Sequence, residues 1–174
     1  MQSVRGGFCL NRGPNPVPRD DFLIIGFGNT LRGDDGAGPR VAEAVAARNY
    51  PGARVLVCPL LAPELADPVS QSRAVVFVDA AVDGPHEVRL VKLQPAESAQ
   101  IMSHAAGPST LLALARDVFG RAPEAWCLTV PAVKFDFSGK FSPVTQRGIA
   151  AALEKIEALL LKSPVGLPLP APGA

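Results

Sequence analysis

The chain has 174 residues, of which 48% are hydrophobic and 19% are charged, and its formal net charge is +1. This balance is typical of one folded globular domain with a sizeable core. No basic run offers affinity for nucleic acid, and no apolar run approaches the roughly 20 residues that span a bilayer. We therefore expect neither a nucleic-acid partner nor a membrane partner.

The two ends of the chain differ in composition from the middle. Residues 1–20 are rich in Arg, Gly, Asn and Pro and lack the apolar core of a signal peptide, so we expect a flexible segment on a cytoplasmic protein. Residues 163–174 form a Pro-rich tail that cannot continue a helix. Residues 21–162 are left as the folded domain.

Apolar runs and helical periodicities alternate through that domain. The predicted strands are residues 21–25, 53–58, 74–79, 87–92 and 125–130, and the predicted helices are residues 39–48, 63–70, 109–119 and 142–160. The first and third strands are almost wholly apolar, as in the centre of a parallel sheet, whereas residues 87–92 alternate and suit an edge. This order predicts an α/β fold: a single three-layer α/β/α domain with a mainly parallel, twisted sheet.

Four residues are predicted to mark the ends of two of these helices. Ser109 or a neighbour is expected to cap the third helix, and Gly120 to end it. Ser142 as N-cap and Pro143 at the first helical position predict the start of the last helix.

The glycine-rich segment that follows the first strand carries the strongest chemical signal. Residues 26–38 have the sequence GFGNTLRGDDGAG, which places Asp34 and Asp35 beside a turn just before a helix. In open parallel sheets, ligands bind outside the carboxyl ends of the strands. Asp34 suits an N-cap as well as a functional role, whereas Asp35 is harder to assign to capping because one cap is enough.

Nucleotide binding is not favoured by this segment. Gly26 and Gly28 open like a dinucleotide fingerprint, but Leu31 stands where the third glycine belongs. The spacing from Gly28 to Gly33 resembles a phosphate loop, but two acids follow where Lys and Ser or Thr are required. A serine-hydrolase elbow of the form GxSxG is also absent from the sequence.

Two further residues complete a candidate metal site. Asp79 ends the third predicted strand, and His104 lies in a loop directly before the third helix. If these loops converge with Asp35, two carboxylates and an imidazole suit nickel, zinc or iron better than magnesium. Taken alone, Asp79 is compatible with bonding to loop amides, and His104 with an ordinary surface histidine.

The three cysteines (Cys9, Cys58 and Cys127) lack CxxC spacing, which argues against disulfides and structural zinc.

From Phe22 to Leu161 the chain resembles the hydrogenase maturation endopeptidases. Residues 26–38 carry the most specific part of this resemblance, supported by APEL at 62–65, VFVDA at 76–80, Ser103-His104 ahead of PSTLL at 108–112, and FSP at 141–143. Residues 122–126 and 148–156 look most like the branch that serves the bidirectional, NAD-reducing [NiFe] hydrogenases. Leu60 and Leu61 stand near a position where relatives often carry Gln, which places a polar substrate contact there in doubt.

The resemblance implies a three-layer α/β fold for a protease domain and a specific reaction. Such enzymes remove a C-terminal peptide from the nickel-loaded large-subunit precursor of a [NiFe] hydrogenase, and the substrate brings the nickel. Carried over by motif, the metal ligands are Asp35, Asp79 and His104, and the catalytic residues are Asp35 and Asp79. Nickel would polarise the scissile carbonyl or only dock the precursor; a water activated by Asp35 or Asp79 is the competing route. Two alternatives stay open: a metal-assisted hydrolase of a small phosphorylated or glycosyl substrate, and a non-catalytic nickel-binding maturation chaperone.

Overall fold

The computed structural model describes residues 22–82, 86–97, 107–137 and 139–162. Five strands and four α-helices make up this part of the chain. The strands are β1 (Phe22–Phe27), β2 (Ala53–Cys58), β3 (Ala74–Ala81), β4 (Arg89–Leu93) and β5 (Glu124–Pro131). The helices are α1 (Ala37–Arg48), α2 (Ala66–Gln71), α3 (Pro108–Phe119) and α4 (Pro143–Lys162). Short 3-10 helices at Gly33–Gly36 and Pro63–Leu65 precede α1 and α2.

The strands form one sheet in the order β2-β1-β3-β5-β4. β1, β2, β3 and β5 are parallel, and β4 is an antiparallel edge strand beside β5. The chain runs from β1 outward to β2 and then returns to the other side of β1 to form β3. The strand order therefore reverses between β1 and β3, which is where open α/β sheets open a crevice for ligands.

Helices cover both faces of the sheet, and each face has its own apolar core. On one face, α1 and α4 pack over Ile24 and Val76; on the other, α2 and α3 pack over Ile25 and Phe77. Neighbouring residues of β1 and β3 alternate between the two cores because successive side chains of a strand leave on opposite faces. The predicted three-layer α/β/α architecture is confirmed.

A close approach of backbones brings the start of α1 against the sheet. A Cβ on Gly38 would lie 2.4 Å from the carbonyl oxygen of Val78 and 2.5 Å from that of Phe27. Only glycine allows this contact, which fixes the turn between β1 and α1 at the carboxyl ends of β1 and β3.

Most predicted element boundaries are confirmed within a few residues. The Ser142 side chain accepts a hydrogen bond from the Thr145 N–H (3.3 Å) and α4 begins at Pro143, while Gly120 ends α3 with a positive φ. Gly107 is the N-cap of α3, so Ser109 lies inside that helix. Among the described helices, none is both long enough and apolar enough to cross a membrane.

Candidate active site

Asp35 lies in the short 3-10 helix between β1 and α1 and is partly buried. Its Oδ2 accepts a hydrogen bond from the backbone N–H of Asn29 (3.1 Å), and the Asn29 Oδ1 accepts one from the N–H of Leu31 (2.9 Å). Asn29 thus turns the chain with its side chain and orients the carboxylate with its backbone. The second oxygen of Asp35 has no protein hydrogen bond within the described part of the chain.

Gly28 makes this turn possible. Its φ is +138°, and a Cβ there would lie 2.1 Å from the carbonyl oxygen of Asp35. The position of Asp35 therefore depends directly on the absence of a side chain at residue 28.

Asp79 lies inside β3, two residues before its end, whereas the sequence pattern predicts that the strand ends at Asp79. The strand is longer than predicted because Asp79, Ala80 and Ala81 still pair with Thr129, Val130 and Pro131 of β5. The alternation of β3 places the Asp79 side chain on the same face as Phe77, under the layer that contains α3. One oxygen of Asp79 accepts the N–H of Ala80 (2.8 Å).

Burial and the charge of Asp35 both act on the carboxyl group of Asp79. Burial raises the pKa of Asp79 from 3.8 to about 6, the negative charge of Asp35 adds to the increase, and the Ala80 N–H partly opposes it. Burial and the charge of Asp79 also raise the pKa of the Cys127 thiol to about 11, so this thiol stays protonated. Asp35 follows β1 and Asp79 lies near the end of β3, so the fold places both carboxylates at the β1–β3 edge of the sheet.

His104, the third predicted ligand, lies outside the described residues. It precedes Gly107 by three positions, and α3 begins at Pro108. Within the part of the chain that is described, no group of three or more His, Cys, Asp or Glu side chains has the proximity to hold a metal ion. The convergence of His104 with the two acids thus stays a prediction.

Asp34 has a different role from the N-cap considered for it. Its side chain is fully buried and its two oxygens accept three backbone N–H groups: Val133 (2.9 Å), Lys134 (2.8 Å) and Ser142 (2.7 Å). The Asp34 N–H also donates to the Lys134 carbonyl (2.8 Å). Burial works to raise the pKa of Asp34, but the hydrogen bonds from Ser142, Val133 and Lys134 outweigh it and lower the pKa.

These bonds make Asp34 an anchor for residues 132–142, which we call the β5–α4 loop. The loop crosses the glycine-rich turn and exposes Phe137, of which 82% is accessible. Asp34 and Ser142 are 108 residues apart, so no local pattern in the sequence signals their contact. Asn29 was also missed as a positioning residue, although an Asn in a glycine-rich turn is a recognisable signal.

The chemistry available to the Asp35–Asp79 pair follows from its environment. Each carboxylate keeps one oxygen without a hydrogen bond from the described residues, and two nearby negative charges repel. A divalent cation would relieve that repulsion, and imidazole or water would complete its coordination. Alternatively, a carboxylate with a pKa of about 6 can accept a proton from water near neutral pH.

Comparison with known proteins identifies the fold. No protein-family model matches the sequence, and no curated protein sequence is significantly similar to it. Solved structures do match, among them a hydrogenase maturating endopeptidase, HybD, from E. coli: TM-score 0.65, 21% identity, 82% of this chain and 93% of that chain covered.

Two archaeal structures agree with this match. The hydrogenase 2 maturation peptidase from Thaumarchaeota archaeon SCGC_AB-539-E09 has a TM-score of 0.59 and 24% identity, over 81% of this chain and 99% of that one. The [NiFe] hydrogenase maturation protease HycI from Thermococcus kodakarensis KOD1 has a TM-score of 0.63 and 20% identity, over 84% of this chain and 95% of that one. The chain therefore has the α/β fold that these hydrogenase maturation proteases share.

Proposed function

We propose that this protein is a hydrogenase maturation endopeptidase, which removes a C-terminal peptide from the nickel-loaded large-subunit precursor of a [NiFe] hydrogenase. One observation carries the proposal: Asp35 follows β1 and Asp79 lies near the end of β3, so two carboxylates lie at the β1–β3 crevice where open α/β sheets bind ligands. The shared fold and the GFGNTLRGDDGAG segment support the same assignment.

The donor set fits nickel carried by the substrate. Two carboxylates with open oxygens supply part of a coordination shell, and His104 is proposed to add the imidazole that favours nickel over magnesium. Its place in the sequence supports this role, since α3 begins four residues later and covers the face that Asp79 occupies. A site of only three ligands binds weakly and distinguishes a loaded precursor from an empty one by their difference in affinity.

The hydrolytic step needs a polarised carbonyl or an activated water. Nickel in the precursor, held by Asp35, Asp79 and His104, would supply Lewis-acid character to the reaction. Asp79 is the better placed of the two acids to take a proton from water, because its pKa of about 6 lies close to neutral pH. Asp35, whose carboxylate accepts a hydrogen bond from the Asn29 N–H, stabilises the positive charge of the precursor's nickel at the same edge of the sheet.

The test compares two forms of one substrate. Purified large-subunit precursor, loaded with nickel or free of it, is incubated with the protein, and each precursor is weighed by intact-protein mass spectrometry. We expect a C-terminal peptide to be lost from the loaded form alone. A loaded, processing-competent precursor that keeps its full mass would contradict the proposal.

The same experiment separates the alternatives. A chaperone would form a stable complex with the loaded precursor without shortening it. A hydrolase of small substrates would leave the precursor intact and show magnesium-dependent activity on phosphorylated or glycosyl compounds. The matched control is Asp35→Asn, which keeps the size of the side chain and removes its charge.

A further inference from the structure

A groove of about 310 Å³ lies between α4 and the segment that leads into β4. Its floor is apolar and includes Val88, Val144 and Ala151, of which Val88 and Ala151 also pack in the core under α1 and α4. The side chain of Asp79 leaves β3 on the other face, under the layer that contains α3. The sheet therefore separates this groove from the candidate active site.

Small residues on α4 keep the groove open. A Cβ on Gly148 would lie 2.9 Å from the Cδ of Pro131 and 2.9 Å from the Cγ1 of Val130, so only glycine lets this turn of α4 pack on the end of β5. Ala151, almost one turn later, adds only a methyl group to the floor. The helix thus lies close to the sheet here without a long side chain that would fill the space above it.

Charged side chains form the two rims of the groove. Arg147 and Lys155 come from α4, whereas His86 and Glu87 come from the segment before β4, and all four residues are exposed. In the described ranges, no hydrogen bond or ion pair joins the side chain of Arg147 or Lys155 to another residue. Glu87 therefore lies across the groove from two cations without neutralising them, and the space between the rims stays open.

The two cations define the chemistry of a partner. The formal net charge of the whole chain is only +1, so Arg147 and Lys155 concentrate positive charge on an otherwise nearly neutral protein. An acidic partner gains Coulomb energy from each cation, and it gains hydrophobic free energy where it covers the floor between them. A small anion such as phosphate would leave that floor in contact with water.

The spacing of the cations defines the shape of the partner. Arg147 and Lys155 are eight positions apart on one helix, which is about 12 Å at a rise of about 1.5 Å per residue. In an extended chain, residues four positions apart lie about 13 Å from each other on the same side. Two acidic residues with that separation would therefore reach both cations, and the residue midway between them would lie over Ala151.

We propose that this groove binds an extended, acidic segment of a partner protein, with acidic residues at positions i and i+4 and a small apolar residue at i+2. The sheet lies between the groove and the Asp35–Asp79 edge, so the inference does not depend on the proposed function. The protein then has two separate recognition surfaces, one on the face covered by α4 and one on the face covered by α3.

The test measures the binding of synthetic peptides to the purified, full-length protein by fluorescence anisotropy at low ionic strength. The probe is a short labelled peptide of Gly and Ser, with Val at its centre and a Glu two positions to either side. One control peptide has the same composition with its Glu residues adjacent, and a second has Lys in place of Glu. The protein variants are Arg147→Glu, Lys155→Glu and the matched control Arg40→Glu, which reverses an exposed cation on α1.

We expect saturable binding of the probe, weaker binding of the peptide with adjacent Glu residues, and no binding of the Lys peptide. Arg147→Glu and Lys155→Glu should each weaken binding of the probe about tenfold, because an attraction becomes a repulsion, and Arg40→Glu should leave it unchanged. The double variant Arg147→Glu/Lys155→Glu should bind the Lys peptide instead of the probe. A variant that has only lost stability cannot show this reversal.

Three outcomes would overturn the inference. If the wild-type protein shows no saturable binding of the probe, the groove is not a site for an acidic segment. If the peptide with adjacent Glu residues binds as tightly as the probe, or Arg40→Glu weakens binding as much as Arg147→Glu, the attraction is a diffuse effect of charge. If inorganic phosphate displaces the probe where chloride of the same ionic strength does not, the groove binds a single anionic group and not an extended segment.

Discussion

Asp34 and Asp35 are neighbours in the sequence but differ in burial and in hydrogen-bond partners. Asp34 is fully buried, accepts three backbone N–H groups and has a lowered pKa. Among the described residues, Asp35 accepts one backbone N–H, and it shares the sheet edge with Asp79, whose pKa is raised to about 6. The first region is an anchor, and the second is a partly buried edge where each carboxylate keeps one oxygen without a hydrogen bond from the described residues.

The difference shows how to separate structural from chemical carboxylates. Three hydrogen bonds replace the hydration that Asp34 loses, so its charge stabilises the fold and has no capacity left for a ligand. Asp79 loses hydration, and among the described residues only the Ala80 N–H donates a hydrogen bond to it. Its negative charge therefore destabilises the fold and is available for a cation or a proton. Loss of stability is therefore the expected result of changing Asp34, and loss of activity that of changing Asp35 or Asp79.

The largest expected effect on stability belongs to Asp34→Ala. Three backbone N–H groups of the β5–α4 loop would lose a charged acceptor inside the protein, so we expect the free energy of unfolding to fall by about 3–5 kcal/mol. Urea denaturation measures this change. A loss near 1 kcal/mol, the value of a simple helix cap, would mean that the anchor is unimportant.

The lowered pKa of Asp34 also determines how the free energy of unfolding changes with pH. The ordinary pKa of an aspartate is 3.8, and folding lowers the pKa of Asp34 below this value. The ionised Asp34 therefore contributes its full stabilisation of the folded state above pH 3.8. This stabilisation is lost as the pH falls through the lower pKa of the folded state. Asp34→Asn should remove this part of the acid sensitivity. The unfolding free energy of both proteins, measured from pH 6 down to pH 3, checks the sign.

A second prediction concerns the turn that holds Asp35. Gly28→Ala adds a Cβ to a residue with φ +138° and places it 2.1 Å from the Asp35 carbonyl oxygen, so the turn must shift. We expect a loss of about 1–3 kcal/mol together with loss of precursor cleavage. Gly139→Ala is the control, since its φ is +63° but nothing lies within 4 Å of the added atom. Equal cleavage by the two variants would show that the turn does not position Asp35.

The third prediction concerns Asp79, whose substitution is expected to stabilise the protein, whereas that of Asp34 is expected to destabilise it. The folded-state pKa of Asp79 is raised from 3.8 to about 6, so the native state binds more protons in this interval and the protein loses stability as the pH rises through it. Asp79→Asn removes the buried charge and should stabilise the protein at pH 8 by about 1 kcal/mol, allowing for partial exposure. Thermal unfolding from pH 5 to pH 8 measures both effects. A variant less stable than the wild type at pH 8 would contradict the comparison.

The smallest effect is expected at a surface carboxylate. Glu124 forms an ion pair with Lys92, and each side chain is 55% exposed. Glu124→Gln should change the free energy of unfolding by less than about 0.5 kcal/mol, because water and salt screen such pairs. A change as large as that of Asp34→Ala would remove the distinction between buried and exposed carboxylates on which the other predictions depend.

The parts of this protein that depend on local patterns could be predicted from the sequence. Apolar runs gave the strands, and Ser142, Pro143 and Gly120 marked helix ends where the structure has them. The joint position of Asp35 and Asp79 followed from chain order, because parallel strands end at one edge of a sheet.

The parts that depend on contacts between distant residues could not be predicted. The partners of Asp34 are about 100 positions away, so its sequence context resembled that of a cap. β3 extends past Asp79 because β5 continues beside it, which the composition of β3 alone does not reveal. A cavity of about 250 Å³ lies between the glycine-rich turn and the end of β2, two segments that only the fold brings together.

The most direct test of the account is the mass of nickel-loaded precursor after incubation with Asp79→Asn, measured beside the wild-type protein. This substitution keeps the shape of the side chain and removes the charge proposed to meet nickel or a proton. We predict that the variant is folded and at least as stable as the wild type at pH 8, but leaves the precursor at full length while the wild type shortens it. Normal processing by Asp79→Asn would contradict the assignment of the Asp35–Asp79 edge as the active site.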